Sequence, residues 1–209
     1  MRTSFFGYYK GTILHPKRTF ETLVQDGRQL RLAFSAVLIT AVLYTFVYVF
    51  LIFGGGQPFK PWLDIPLDDY YRYNVFFCAP SMFLGWILAA GVVQLISRLF
   101  SGTGTFEQTL AVLGFGIGIA SWATGLHDIL TSFLGAVRVI DQREYEVILN
   151  SPTVWRALLW VQMAVYLVWF ILLFSKGIKA AHGLKNAPAM LIGTAGFFVY
   201  QLFFLIFNR

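Results

Sequence analysis

Five stretches of this chain are apolar over about twenty residues, the length an α-helix needs to cross the hydrocarbon core of a bilayer. They run from about Leu32 to Phe53, Val75 to Ser97, Leu110 to Leu134, Trp155 to Ser175 and Ala187 to Phe207. In hydrocarbon every backbone N–H and C=O must be satisfied within the protein, which leaves only helices and closed barrels. A barrel would need alternating strands of roughly ten residues, and no such alternation is present. Composition agrees: 57% of the 209 residues are hydrophobic and 12% charged, against a usual charged share of roughly 25%. A water-soluble fold of this size could not hide so much apolar surface. The expectation is an all-α, polytopic membrane helix bundle with five transmembrane helices. It divides into an N-terminal amphipathic segment, residues 1–31, and a transmembrane domain, residues 32–209. No secretory signal precedes the first apolar run, which is expected to stay as an anchor.

The net charge of +6 would suggest nucleic acid in a soluble protein. Here the cations flank the apolar runs, so they read as an orientation signal and no nucleic-acid partner is expected. Arg2, Lys10, Lys17, Arg18, Arg28, Arg31, Arg98, Lys176, Lys179 and Lys185 fall on one side, ten of the sixteen. Lys60, Arg72, Arg138, Arg143, Arg156 and Arg209 fall on the other, with six of the ten acids. The positive-inside rule then gives a cytoplasmic N-terminus and an outer C-terminus, N-in/C-out. Lys17, Arg18, Arg28, Arg31, Lys176, Lys179 and Lys185 form a basic cytoplasmic surface suited to anionic lipid.

Pro16 can open a helix at its first turn. Phe20, Leu23, Val24 and Leu30 follow at roughly helical spacing among charges, which predicts a short amphipathic helix on the cytoplasmic leaflet. The outer loop from Gly54 to Asn74 is rich in Pro, Trp and Tyr and suits the headgroup zone. The loop from Gly135 to Val154 predicts a second surface helix, ended near Asn150-Ser151-Pro152.

The third span carries the most information. Gly114, Gly118, Ser121, Gly125 and Asp128 fall within roughly 80° of one another on a helix. Small residues on one face allow close backbone approach. Asp128 thus projects along a packed face, about 9 Å inside the outer end, while His127 points away. An intramembrane carboxylate is a functional candidate. Ser81, Gln162 and Gln201 lie at similar depth and Thr45 slightly deeper, so each helix can offer one polar group, with Arg156 within reach of Asp128 from the mouth. Two readings stand: a pocket or relay in which burial raises the Asp128 pKa, or a structural network whose bonds average only about 0.6 kcal/mol each. A single carboxylate with no second buried charge favours the network.

Other chemistries fall away. His15, His127 and His182 lie too far apart to share a metal, and neither GxSxG nor HExxH occurs. His182 belongs with Lys176, Lys179 and Lys185 in a basic surface turn. Gly102-Thr103-Gly104 lacks a P-loop lysine and reads as a turn. Thr105 or Thr103 caps the next helix, with Glu107 or Gln108 as capping-box partner. Cys78, the one cysteine, is expected to be a buried thiol. No cofactor is expected.

Two motifs carry a family resemblance. Leu14-His15-Pro16-Lys17-Arg18-Thr19-Phe20 looks like the proline-containing segment before the first span, and Gly104-Thr105-Phe106-Glu107-Gln108-Thr109-Leu110-Ala111-Val112-Leu113-Gly114-Phe115 like the central region, of the Yip family of Ypt/Rab-interacting membrane proteins. The five-span, N-in layout matches as well. The eukaryotic Asp-Leu-x-Gly-Pro signature is absent, so the resemblance is to prokaryotic-type members. It implies a multi-pass protein of the prokaryotic plasma membrane, without enzymatic activity, acting through helix–helix or membrane-surface contacts. Its partners would be lipids and further copies of the chain or another membrane protein. The rival is a small transporter, channel or lipid-moving protein built on the polar layer around Asp128. An enzyme would need a second acid, base or metal ligand beside Asp128, and the sequence does not show one.

Overall fold

The computed structural model describes residues 3–58 and 61–208. Arg2, Phe59, Lys60 and Arg209 therefore lie outside the described residues. The chain forms α1 (Phe5–Leu14), α2 (Pro16–Leu23), α3 (Gln29–Gly54), α4 (Tyr70–Leu99), α5 (Phe106–Ala120), α6 (Trp122–Ala136), α7 (Gln142–Asn150), α8 (Val154–His182) and α9 (Asn186–Asn208). It is all helical among the described residues. Four helices, α3, α4, α8 and α9, are long and apolar enough to cross a membrane, and the bent pair of α5 and α6 brings the number to five when it is counted as one broken span.

That break is the main departure from the expected spans. Residues 110–134 do not form one straight helix, because α5 and α6 meet at an angle of 44°. Three glycines and two β-branched isoleucines weaken the helix from Gly114 to Ile119, and Ser121 follows; Gly and Ser are common sites of kinks. The freed backbone is met from outside the helix. The Tyr9 hydroxyl donates to the Gly118 carbonyl at 2.7 Å, and the Trp122 indole N–H donates to the Tyr9 oxygen.

The small-residue stripe nevertheless faces one neighbour. A Cβ on Gly114 would stand 2.9 Å from Ala33 Cβ, one on Gly118 3.0 Å from Ala36 Cβ, and one on Gly125 3.0 Å from Leu43 Cδ2. All three partners lie on α3, so α3 runs along both halves of the broken crossing. Ser121 is buried at the bend, and its carbonyl takes the Gly125 N–H at 2.8 Å.

The N-terminal segment differs from the single surface helix expected after Pro16. It is two helices, α1 and α2, with Pro16 opening the second. Phe20 and Leu23 are fully buried, because α2 packs its apolar side on α8 and α5 instead of turning it to lipid. The exposed apolar side chains belong to α1: Phe6, Ile13 and Leu14. A latch fixes both helices to the start of α3. Asp26 accepts from the Tyr8 hydroxyl at 3.1 Å and from Arg28 Nη2 at 2.8 Å, which holds its carboxyl well below the usual range.

The turns follow their chemistry. Gly55 ends α3 in the left-handed region, at φ 72°, where glycine carries no Cβ penalty. Thr105 and Gln108 form the expected capping box on α5. The second surface helix is present as α7, capped by Asp141.

Close packing on α3 gives a paired expectation. Gly118→Leu would drive a side chain into Ala36, which stands 3.2 Å from the added Cβ even at its carbonyl oxygen. Overpacking typically costs about 1–3 kcal/mol, so the melting midpoint in detergent should fall and the size-exclusion peak broaden. Gly91 has open space where a Cβ would go, so Gly91→Ala should be neutral or stabilising by up to about 1 kcal/mol.

Candidate functional site

At the end of the bundle where α3 and α6 terminate, the helices part around a cavity of about 610 Å³. Its walls come from α3, α4, α6, α8 and α9, and α7 lies across it. The space follows from the bend: α5 packs along α8, whereas α6 follows α3 and touches α8 sparsely. Its apolar walls include Val47, Leu159, Met163, Phe204 and Leu205.

Asp128 lines this cavity together with Arg156 and Gln201. Its side chain is 34% exposed, so it opens on a space and is not sealed in the contact with α3. Gly125 still meets α3 after the bend, whereas Asp128, three residues further on, stands at the cavity. His127, expected to point away, lines the same wall. Its Nδ1 stands 3.2 Å from Asp128 Oδ1 and its Nε2 2.6 Å from the Tyr145 hydroxyl. A neutral ring protonated at Nδ1 satisfies both bonds, giving a chain from Tyr145 through His127 to Asp128.

The other members of the expected polar layer are not brought together as one group. Gln162 donates to the Ala123 carbonyl at 3.0 Å. Gln201 accepts from the Tyr166 hydroxyl at 2.9 Å. Ser81 donates to the Cys78 carbonyl at 2.9 Å and accepts from Asn208 at 2.8 Å, and Thr45 donates to Ala41 O at 2.8 Å. Neither hydroxyl lines the cavity. Arg156 does not pair with Asp128; its guanidinium donates to the Asn150 carbonyl at 3.2 Å. Cys78 is buried.

Sequence reasoning missed Glu146 and Gln142 of α7, both on the cavity wall. Glu146 supplies the second carboxylate that Asp128 lacks in the sequence. Burial pushes its pKa up from 4.5 to about 7, with the Gln142 amide, the Gln57 N–H and Arg143 pulling the other way. The only sequence signal was α7's amphipathic pattern, which does not say what the helix folds back upon. Among the described residues no cluster of three or more His, Cys, Asp or Glu could hold a metal ion.

At the opposite end, His182 is buried, 2% exposed, and is not part of an open basic turn. Its Nε2 meets the Thr109 hydroxyl at 2.8 Å, and Thr109 also donates to Gln94 Oε1 at 2.7 Å. Gln94 and Arg98 both donate to the Gly104 carbonyl. This network ties the Gly102–Gly104 turn to the end of α8, where Gly104 has no room for a Cβ. Of the other family-motif positions, Gly114 and Phe115 are buried, Pro16 is half-buried, and Thr105 and Phe106 are exposed. Lys17, Arg18 and Lys176 line one shallow surface cleft. Lys179 donates to Asn186 at 2.6 Å, Arg28 is held by Asp26, and Arg31 and Lys185 are exposed.

A chain that is all helical among the described residues, with four long apolar helices and a bent pair that brings the count to five as one broken span, is a multi-pass membrane protein. Its family follows from sequence comparison. The Yip1 domain model matches residues 10–207, and the chain belongs to that family. No curated protein and no solved structure matches it.

Glu146 predicts a pH dependence. An acid with a higher pKa folded than unfolded binds more protons in the folded state, so stability falls as pH rises through the interval between the two values. The titratable groups that act on it are Arg143 on α7 and Tyr71 on α4; Asp128 on α6 and Arg156 on α8 line the same cavity. The melting midpoint in detergent should decline from about pH 4.5 to about pH 7 and level off above. Glu146→Gln should flatten that interval; an unchanged slope in the variant would assign it to other groups.

Proposed function

We propose that this Yip1-domain protein is a non-enzymatic membrane protein that binds an amphipathic molecule in the cavity beside Asp128. The observation that carries this reading is the cavity's composition: a largely apolar wall with a few convergent polar groups, the usual character of a small-molecule site. Trp160 both lines the cavity and is 64% exposed, so the rim stands at the outer surface of α8. A molecule could thus enter sideways from the bilayer.

Binding fits better than passage through the bundle. Every residue of α5 from Thr109 to Ala120 is buried, so the half of the bundle away from the cavity is filled. The arrangement suits a protein that holds or presents a ligand at one face. The N-in/C-out orientation read from the charges puts the cavity in the outer leaflet, and a prokaryotic plasma membrane is the proposed location. A second mode rests on the exposed apolar edge of α1, with Phe6, Ile13 and Leu14 beside the basic cleft of Lys17, Arg18 and Lys176. That face suits contact with the cytoplasmic leaflet or with another membrane protein.

Native mass spectrometry tests the main reading. Protein released from a mild detergent should retain one amphiphile. Met163→Trp, which fills the cavity, should lower the retained fraction several-fold, whereas Val165→Trp, on the exposed side of α8, should not. Wild type without an adduct, or equal loss in both variants, would count against binding in the cavity. Liposome flux with wild type and Asp128→Asn separates holding from transport: flux that Asp128→Asn abolishes would restore the transporter.

A further inference from the structure

The cations at the N-terminal end of the bundle are not equally employed. Lys179 donates to Asn186 and Arg28 is paired with Asp26. The side chains of Lys17 and Arg18, in the first turn of α2, and of Lys176 on α8 have no hydrogen-bond or ion-pair partner among the described residues. All three are exposed. They line one cleft of about 500 Å³ where α2 packs on α8. Glu21 is the only carboxylate on its wall, and it is unpaired too. Lys176 belongs to a crossing helix and stands about 9 Å before α8 ends at His182. Leu172 and Val168 precede it by one and two turns on the same side of α8. They are 45% and 55% exposed, as side chains facing lipid are. Leu14, next in the chain to the cleft residue His15, is an exposed apolar side chain as well. Unpaired cations and exposed apolar surface therefore meet at one place. A soluble anion would use the cations alone, whereas a lipid with a negative head uses both.

We infer that this cleft is a binding site for one anionic phospholipid. The phosphate sits among Lys17, Arg18 and Lys176, each a donor to its oxygens. One acyl chain runs from there along Leu172 and Val168 toward the middle of the bilayer. The long stem of Lys176 lets its ammonium reach the headgroup level while its methylenes stay beside the chain. The site rests on the leaflet contact proposed for that face, and adds the lipid class and the residues that hold its head. It is separate from the cavity, because Met163 and Lys176 stand about 20 Å apart along α8.

The test titrates dioleoylphosphatidylglycerol into the full chain in neutral maltoside micelles and counts bound lipid by native mass spectrometry. Dioleoylphosphatidylcholine, glycerol 3-phosphate and hexaglutamate are the comparison probes. Phosphatidylglycerol should bind most tightly of the four. Lys176→Gln should weaken it about fivefold, the scale of one cation beside anionic lipid. Lys17→Gln with Arg18→Gln should weaken it more, by roughly the square of that factor. Arg31→Gln with Lys185→Gln removes two exposed cations that do not line the cleft, and should leave binding within about twofold of wild type. Met163→Trp, which fills the cavity, should leave it unchanged. Where Lys176→Gln melts early, the pair on the exposed turn of α2 decides. Equal weakening by the cleft pair and the Arg31–Lys185 pair would trace the effect to net charge, overturning the site while leaving the leaflet contact. Phosphatidylcholine binding as tightly as phosphatidylglycerol would overturn the anionic head. Glycerol 3-phosphate matching the lipid would assign the cleft to a free phosphate, and hexaglutamate matching it would assign the cleft to an acidic protein. Either would overturn the lipid. Binding lost in Met163→Trp and kept in the cleft variants would move the lipid to the cavity and overturn this site alone.

Discussion

The packing of α3 against both halves of a broken helix organises the rest of this molecule. Ala33 and Ala36 meet Gly114 and Gly118 before the bend, and Leu43 meets Gly125 after it. Small residues on each side let the backbones approach, the main source of helix association where lipid is as apolar as the side chains. Because α3 holds both halves, the 44° bend is expressed on the far side, against α8. There α5 stays in contact and α6 departs, and the cavity occupies the difference.

A broken helix in hydrocarbon needs outside partners for its freed groups, and these come from the N-terminus. Tyr9 reaches across 109 positions to the Gly118 carbonyl and receives the Trp122 indole N–H. Asp26 and Arg28 hold α1 in place for that contact. The segment before the first span is therefore packed into the bundle, α1 bonding the bend through Tyr9 and α2 burying Phe20 and Leu23 against α8 and α5.

Much of this was legible in the sequence and some was not, for identifiable reasons. Span positions follow from hydropathy alone, because the constraint they answer is one-dimensional. The Thr105–Gln108 capping box and the Gly54–Gly56 stop are local, so they could be read as well. The bend escaped because the run from Gly114 to Gly125 stays apolar through Ser121, and hydropathy does not register curvature. A five-membered polar layer at one depth requires straight helices, and the third crossing is bent. Two of its hydroxyls, Ser81 and Thr45, are also spent on carbonyls of their own helices, a bond that sequence position does not reveal. Glu146 was invisible for a different reason: its role arises only when α7 folds over the bundle end.

The two ends of the bundle differ in packing. At the N-terminal end Thr109 bonds both His182 Nε2 and Gln94, and α5 fills the space above them with wholly buried residues. Such a network adds rigidity and leaves no room for a guest. At the other end the helices part around an open space. A bundle filled in one half and open in the other favours a ligand that enters and leaves by the same side. That asymmetry is hard to reconcile with a channel. It suits a membrane protein whose work is done at one leaflet, with the closed half anchoring the helices that shape the site.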